Sequence, residues 1–458
     1  MSLRFLFMLM YTPTACAVSL WRPFYGLLML VFLYYFRPEI WDAPTWFRPI
    51  LFITVACLIG WAMHVRTLRF HPLMAVSLAC LLGTLAGALM AKGDREVALG
   101  ATWVLTKLMI VQFLTMQLVD TPKKINQFLW ANVSGMLWNL KTIIVIGAGG
   151  GDLERVNVAA GQGGGANYLA LVLIMMMPFF AMRFQHGSRR EKMFILVLFP
   201  FYVLGAVFTG SRGGILQMMA VMSYLILKSK KKAVGFATAA LCGIIVLTFL
   251  PQAQWDRLKQ GVGPSETRDF AAQSRILLWK AGWTMFRQDP VLGKGMDNYP
   301  LLSPRYVGFY AGRTPIPYTP GSRGPGFVAH STWFQALGEG GLAMSLPLFA
   351  LFPMAFYFLW KTRKVALKPP WSQEFYAISI SMAGLWIAFC VGSTFGSLMK
   401  IDFLWWYMGL TAAIHLTAQD LNMKMRAKRQ QEIAEDRRNA WRTRIVTGEP
   451  GASERVRT

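Results

Sequence analysis

The stretch 193-MFILVLFPFYVLGAVFTGSRGGILQMMAVMSYLIL-227 decides the fold class. Two apolar runs, 193–208 and 215–227, flank the polar turn 209-TGSRGG-214. They read as two membrane crossings joined by a short connection, because a run of about 20 apolar residues spans the hydrocarbon core of a bilayer. Outward from this pair, similar runs recur from residue 4 to residue 250 and again from 334 to 419. Hydrophobic residues make up 55% of the 458 and charged residues only 15%, against about 25% charged in soluble domains. The mean hydropathy is +0.39. These properties predict an all-α polytopic membrane protein with about twelve or thirteen transmembrane helices and one large structured loop. The first apolar run, 4–20, has the length of a signal peptide but no small-x-small cleavage site before a soluble domain, so it reads as a retained membrane segment.

The formal net charge of +25 raises the question of nucleic acid. Most of that charge lies in short loops between apolar runs and in the last forty or so residues. The positive-inside rule produces this distribution, so membrane topology accounts for most of the excess and nucleic acid is not expected as a partner. The basic clusters at Arg189, Arg190 and Lys192, at Lys228 to Lys232, and at Lys361, Arg363 and Lys364 all fall on one side if the crossings alternate. That side is the cytoplasm by the same rule. Four regions follow: a transmembrane bundle over 1–250, an outer loop over 251–330, further transmembrane helices over 331–420, and a basic cytoplasmic tail over 421–458. The five cysteines all lie inside apolar segments without Cys-x-x-Cys spacing, which suggests neither a zinc site nor a disulfide framework.

The outer loop has the pattern of a folded element. In 274-SRILLWKAGWTMFRQ-288, Ile276, Trp279, Trp283 and Phe286 share one helical stripe, Ser274 is positioned to cap the start, and Asp289-Pro290 ends the run. Such a helix is expected to lie on the membrane surface. The stretch 315-PIPYTPGSRGPG-326 reads as a lid or channel wall.

His330 is the one histidine that this topology puts on the outer side. A histidine at a membrane interface can be no more than a structural hydrogen-bonder, but its neighbours are cationic. Arg212 lies in the outer turn, Arg155 in the glycine-rich loop 147-GAGGGDLERVNVAAGQGGGAN-167, and Arg275 at the start of the amphipathic helix. Arginine near hydrocarbon needs a partner, and carboxylates are scarce here. The cluster therefore points to an anionic ligand, for which phosphate matches the guanidinium fork. Gly213 and Gly214 would let that ligand approach the backbone, and Ser211 would orient the turn. The alternative is that each arginine reaches lipid head groups or a helix-end carbonyl. Glu339, nine residues after His330, falls half a turn away on an unbroken helix and reads as a structural support. No P-loop, Asp-x-Asp pair or outer His-Glu metal set occurs, so neither metal nor cofactor is expected. What remains is metal-free chemistry with a cationic leaving-group clamp and a histidine base.

Three motifs in order, 210-GSRGGIL-216, 274-SRILLWKAGWTMFRQDPVLGKGMDNY-299 and 330-HSTWFQALGEGG-341, resemble those of the O-antigen ligase and polymerase superfamily. The N-terminal portion, with 22-RPFYGLLMLVFLYYFRPE-39 and 141-KTIIVIGAGGGDLERV-156, is similar to the exosortase-associated O-glycosylation ligases within it. Where relatives carry Asn-Asn or Pro-Asn, 161-GQGGGAN-167 keeps only Asn167. The resemblance implies a glycosyltransferase of the lipid-linked-donor (GT-C) type in the bacterial inner membrane, active on the periplasmic face. Its donor would be a glycan on undecaprenyl diphosphate, and its acceptor a lipid, such as the core of lipopolysaccharide, a protein or a surface glycan. By carry-over Arg212, Arg275 and Arg155 would hold the diphosphate, and His330 would deprotonate the acceptor hydroxyl as it attacks with inversion. The N-terminal resemblance implies en bloc ligation as the expected reaction, with polymerisation as the alternative. A transporter of lipid-linked glycan predicts internal repeats and polar groups at the midplane, neither of which is evident. A membrane scaffold leaves the arginines unexplained.

Overall fold

Start signals precede many of the apolar runs and fix where helices begin. Asp94 accepts hydrogen bonds from the N–H groups of Glu96 and Val97, Thr121 caps with Pro122 behind it, and Ser188 forms a capping box with Glu191. The computed structural model describes residues 3–36, 47–65, 67–149, 165–229, 232–249, 270–310 and 327–447. Among these, every regular element is a helix. The order is α1 (Leu3–Trp21), α2 (Pro23–Phe36), α3 (Pro49–His64), α4 (Pro72–Leu89), α5 (Arg95–Leu118), α6 (Pro122–Ala148), α7 (Ala166–His186), α8 (Arg189–Phe208), α9 (Arg212–Lys228), α10 (Lys232–Phe249), α11 (Phe270–Gln288), α12 (Tyr299–Tyr310), α13 (Thr332–Lys364), α14 (Trp371–Phe395) and α15 (Asp402–Thr447). Seven of the described helices, α4 to α8, α13 and α14, are long and apolar enough to cross a membrane. The chain is an all-α polytopic membrane protein. Shorter apolar helices at Phe5–Trp21, Pro23–Tyr35, Pro49–His64 and Gly235–Ile244 make up part of the difference from the twelve or thirteen crossings expected.

Helices α7 and α14 form the centre and are the most buried of the candidate spans. They approach closely because Gly384 faces Pro178, where an added Cβ would sit 2.9 Å from the proline ring, and because Ser381 donates to the Pro178 carbonyl at 2.7 Å. Around them α9 and α13 flank α14, while α4 packs against α13 and α5 against α15. The tail does not separate from the last apolar helix: α15 runs unbroken through Thr447, and its residues from Arg426 to Arg442 are almost all exposed.

Helix α11 corrects one expectation. It begins at Phe270, so Ser274 lies inside it and does not cap it. Its protein-facing side carries Leu278, Ala281 and Met285, all buried, whereas Ile276 and Trp283 of the expected stripe are exposed. One side of the helix is apolar and packed on the protein, while Ile276 and Trp283 are turned outward among the exposed Lys280 and Arg287. The stretch 315–326 and the glycine-rich residues 150–164, with Arg155 among them, lie outside the described residues.

Candidate functional site

The Ser-Arg-Gly-Gly turn joins four helix ends. Gly210 takes a φ of 64°, which turns the chain out of α8 at a conformation that glycine adopts without strain. Ser211 then caps α9: its Oγ accepts from the Gly214 N–H at 2.9 Å and donates to Asn167 Oδ1 at 2.5 Å. Asn167, in the first turn of α7, donates in turn to the Phe395 carbonyl at the end of α14, at 3.3 Å. Arg212 is the first residue of α9 and is half-buried, at a helix end whose N–H groups favour an anion. Gly213 and Gly214 are both buried. A Cβ on Gly214 would lie 2.7 Å from that of Ala170, and one on Gly213 would lie 3.2 Å from that of Phe395. The glycines thus allow close helix packing at this turn.

The second and third motifs lock into each other. Helix α13 breaks at Gly341, whose φ of 53° and ψ of −156° are not helical, leaving a short helix over 332–340 ahead of the long apolar one. The loop after α11 supplies the hydrogen bonds that the break removes. Lys294 and Gly295 donate to the carbonyls of Gly338 and Glu339 at 3.0 and 2.8 Å, and Leu342 and Ala343 donate to those of Pro290 and Val291 at 2.7 and 2.9 Å. Contact this close leaves no room for side chains. A Cβ on Gly293 would fall 2.5 Å from the Glu339 carbonyl, and one on Gly341 would fall 2.5 Å from that of Val291. Asn298 ties the same loop to the turn before α5, accepting from the Asp94 N–H at 2.8 Å and donating to the Asp94 and Lys294 carbonyls.

His330 stands just ahead of the short helix with a φ of 48°. That region is disfavoured for a residue with a Cβ and is held only where the surroundings over-determine it. Two residues on, the Thr332 hydroxyl donates to the Gly396 carbonyl at 2.8 Å and accepts from the Leu398 N–H at 2.9 Å. The His330 turn is therefore stapled to the loop that begins at Phe395, the residue gripped by Asn167. Helix α11 runs parallel to the short helix on the other side: Trp279 stacks on Phe334 at 5.5 Å, and Gly282 lies against Gly338. One turn before Trp279, Arg275 is close enough for its charge to act on His330. Crowding by the surrounding protein, and then the Arg275 charge, hold the imidazole pKa below its ordinary value.

Residues 193–349, which carry the turn, the loop lock and His330, match the family model of the O-antigen ligases. That match makes this segment similar to the O-antigen ligases, in line with the resemblance to the O-antigen ligase and polymerase superfamily. The matched segment runs from the first turn of α8 into α13, about a third of the chain, so Asn167, Arg155 and the N-terminal resemblance lie outside it. No curated protein matches the chain.

In this matched segment Glu339 is an internal brace. Its side chain is fully buried, and Oε1 accepts from the Tyr299 N–H at the start of α12 at 3.0 Å and from Gln335 Nε2 at 3.1 Å. The break comes at Gly341, beyond Glu339, which keeps its carboxylate directed at α12. A cavity of about 340 Å³ is lined by Val97, Leu301, Val328 and Gln335, with Asp297 and Lys400 paired in its wall. Asp297 takes a φ of 64°. Gln335 Oε1 is buried without a hydrogen-bond partner among the described residues. Thr332, Asn298, Asp297 and Lys400 went unnoticed in the sequence. Asn298 and Asp297 lie inside the second motif and Thr332 inside the third, the signals that could have found them.

Proposed function

We propose that the protein transfers a glycan en bloc from undecaprenyl diphosphate to an acceptor hydroxyl on a lipid, a protein or a surface glycan, at the periplasmic face of the inner membrane. The observation that carries this reading is the packing of the second motif on the third: Trp279, one turn after Arg275, stacks on Phe334, four residues after His330, and burial together with the Arg275 charge favours a neutral imidazole. A neutral imidazole is the form that can take a proton. In the reaction, the acceptor O–H gives its proton to a ring nitrogen of His330, and its oxygen forms a bond to the anomeric carbon from the face opposite the phosphate. The carbon–oxygen bond to the diphosphate breaks with its electron pair moving to the leaving group, and the sugar configuration inverts. Arg212 and Arg275 neutralise the charge that grows on that leaving group, with Arg155 assigned to the same task; one donor aimed at developing charge contributes about 10²–10³ in rate. The cavity between Asp297 and Lys400 offers paired polar groups and an apolar wall suited to a sugar ring carrying the acceptor hydroxyl.

The alternative within the superfamily is a polymerase, in which the acceptor is itself a carrier-bound repeat. The glycan profile of cells lacking the protein separates the two readings. Long chains left on the carrier are the result expected for a ligase, and single repeats on the carrier would convert the reading to a polymerase. An unchanged profile would remove both.

A further inference from the structure

A second cavity, about 440 Å³, lies at the end of the bundle away from His330. It opens between α9 and α13 and is floored by Ala383 of α14, the helix on which both pack. From α13 it takes Pro353, Phe356, Trp360 and Arg363, and from α9 Tyr224 and Lys228. Arg363 is 22 residues beyond the Gly341 break, about 33 Å along a helix, which is close to the roughly 30 Å thickness of a bilayer core. Its mouth is therefore at one membrane surface. From Pro353 to Arg363 the trench follows ten residues, or about 15 Å, the depth of a single leaflet.

Charge divides the trench along that depth. Its lining residues include two cations and no carboxylate, with both cations at the mouth. Arg363 is half-buried between the helices, and its Nε has no hydrogen-bond partner among the described residues. Lys361 over Tyr357 at 5.0 Å and Lys364 over Trp360 at 5.8 Å add positive charge beside it. Tyr357 and Trp360 are both about half exposed on the outer wall, at the depth where aromatic residues favour a head-group boundary. The inner part, at Pro353 and Ala383, is apolar. A groove with an anion-seeking mouth and an apolar floor one leaflet deep matches a molecule with an anionic head and a hydrocarbon chain.

We propose that this trench is a binding site for one anionic phospholipid. The head-group phosphate lies on Lys228 and Arg363, and an acyl chain lies along Pro353 and Ala383. The site stands apart from the glycan reading, since it shares no residue with it.

The test is native mass spectrometry of the full-length protein, released from phosphatidylcholine nanodiscs after titration with phosphatidylglycerol vesicles. One retained phosphatidylglycerol per chain is expected, with phosphatidylcholine of the same acyl composition held more weakly. A Lys228→Gln/Arg363→Gln variant should weaken retention by about thirtyfold, each basic group near a bilayer surface being worth about fivefold. An Ala383→Phe variant, which keeps both cations and fills the floor, should also lose the adduct, and it decides the matter alone if the double variant fails to fold. Lys424→Gln/Lys428→Gln, in the exposed part of α15, should change nothing. Equal retention of the two lipids, or undiminished phosphatidylglycerol in the folded trench variants, overturns the proposal. Full displacement by inorganic phosphate would show that the acyl chain contributes nothing, and overturns it as well.

Discussion

The two ends of the bundle treat histidine in opposite ways. At one end His330 is exposed, carries a left-handed backbone and feels the charge of Arg275. At the other end His71 and His415 are buried with ring centroids 5.5 Å apart, and Phe358 packs on both. His71 caps α4, its Nδ1 accepting from the Leu73 N–H at 3.2 Å, and His415 Nδ1 pairs with the Thr362 hydroxyl at 3.1 Å. Burial, with His415 and Arg69 adding to it, pushes His71 down to about 3, so it stays neutral at any working pH. One end positions an open imidazole against a cation. The other uses imidazole as a polar packing group. Backbone conformation and exposure separate the two roles where residue type does not.

That contrast can be broken first at His330. His330→Ala should lower glycan transfer by about 10²–10⁴-fold, the usual contribution of a positioned base, with the detergent-solubilised protein melting as before. Wild-type glycan at normal protein level would place His330 with His71 as a structural group. Next in size is the loop lock. Gly341→Ala or Gly293→Ala puts a Cβ into backbone at a positive φ and should destabilise by roughly 2–5 kcal/mol, read as a lower melting temperature together with lost transfer. His71→Ala should cost roughly 2–4 kcal/mol through the lost cap and ring packing. Its transfer rate per folded molecule should match wild type, and a large drop would give the far end a catalytic role.

The smallest effect is a shift in pH dependence. Because the His330 pKa is held below its ordinary value, transfer should fall only when the pH drops through that lowered value. Removing the nearby cation in Arg275→Gln should move the acid limb upward, toward ordinary histidine, on top of any loss in maximal rate. An acid limb that stays in place would separate Arg275 from the base.

The membrane class was legible because it rests on apolar run length, a property each segment carries by itself. The same holds for Ser211 as the residue that orients the turn, which it does by accepting from the Gly214 N–H as the cap of α9. What the glycines do in packing was not legible. Gly213 and Gly214 read as room for a ligand, and only the positions of Ala170 and Phe395, far away in the chain, reveal them as packing contacts too. The α11 stripe misled for a related reason: Leu278, Ala281 and Met285 are too modest an apolar face to outrank Ile276 and Trp283 until α13 is set against them. Thr332 is an ordinary threonine in sequence and becomes a staple only because Gly396 and Leu398 come to meet it.

The lock between residues 290–295 and 338–343 also makes α13 depend on a second part of the chain. The short helix over 332–340 breaks away from the apolar helix at Gly341, and the backbone groups left at the break are met by a segment some fifty residues earlier in the chain. Insertion of 342–364 into the bilayer therefore does not by itself complete α13. The turn carrying His330 therefore rests on two distant parts of the chain at once, this loop and the Gly396 and Leu398 backbone held by Thr332.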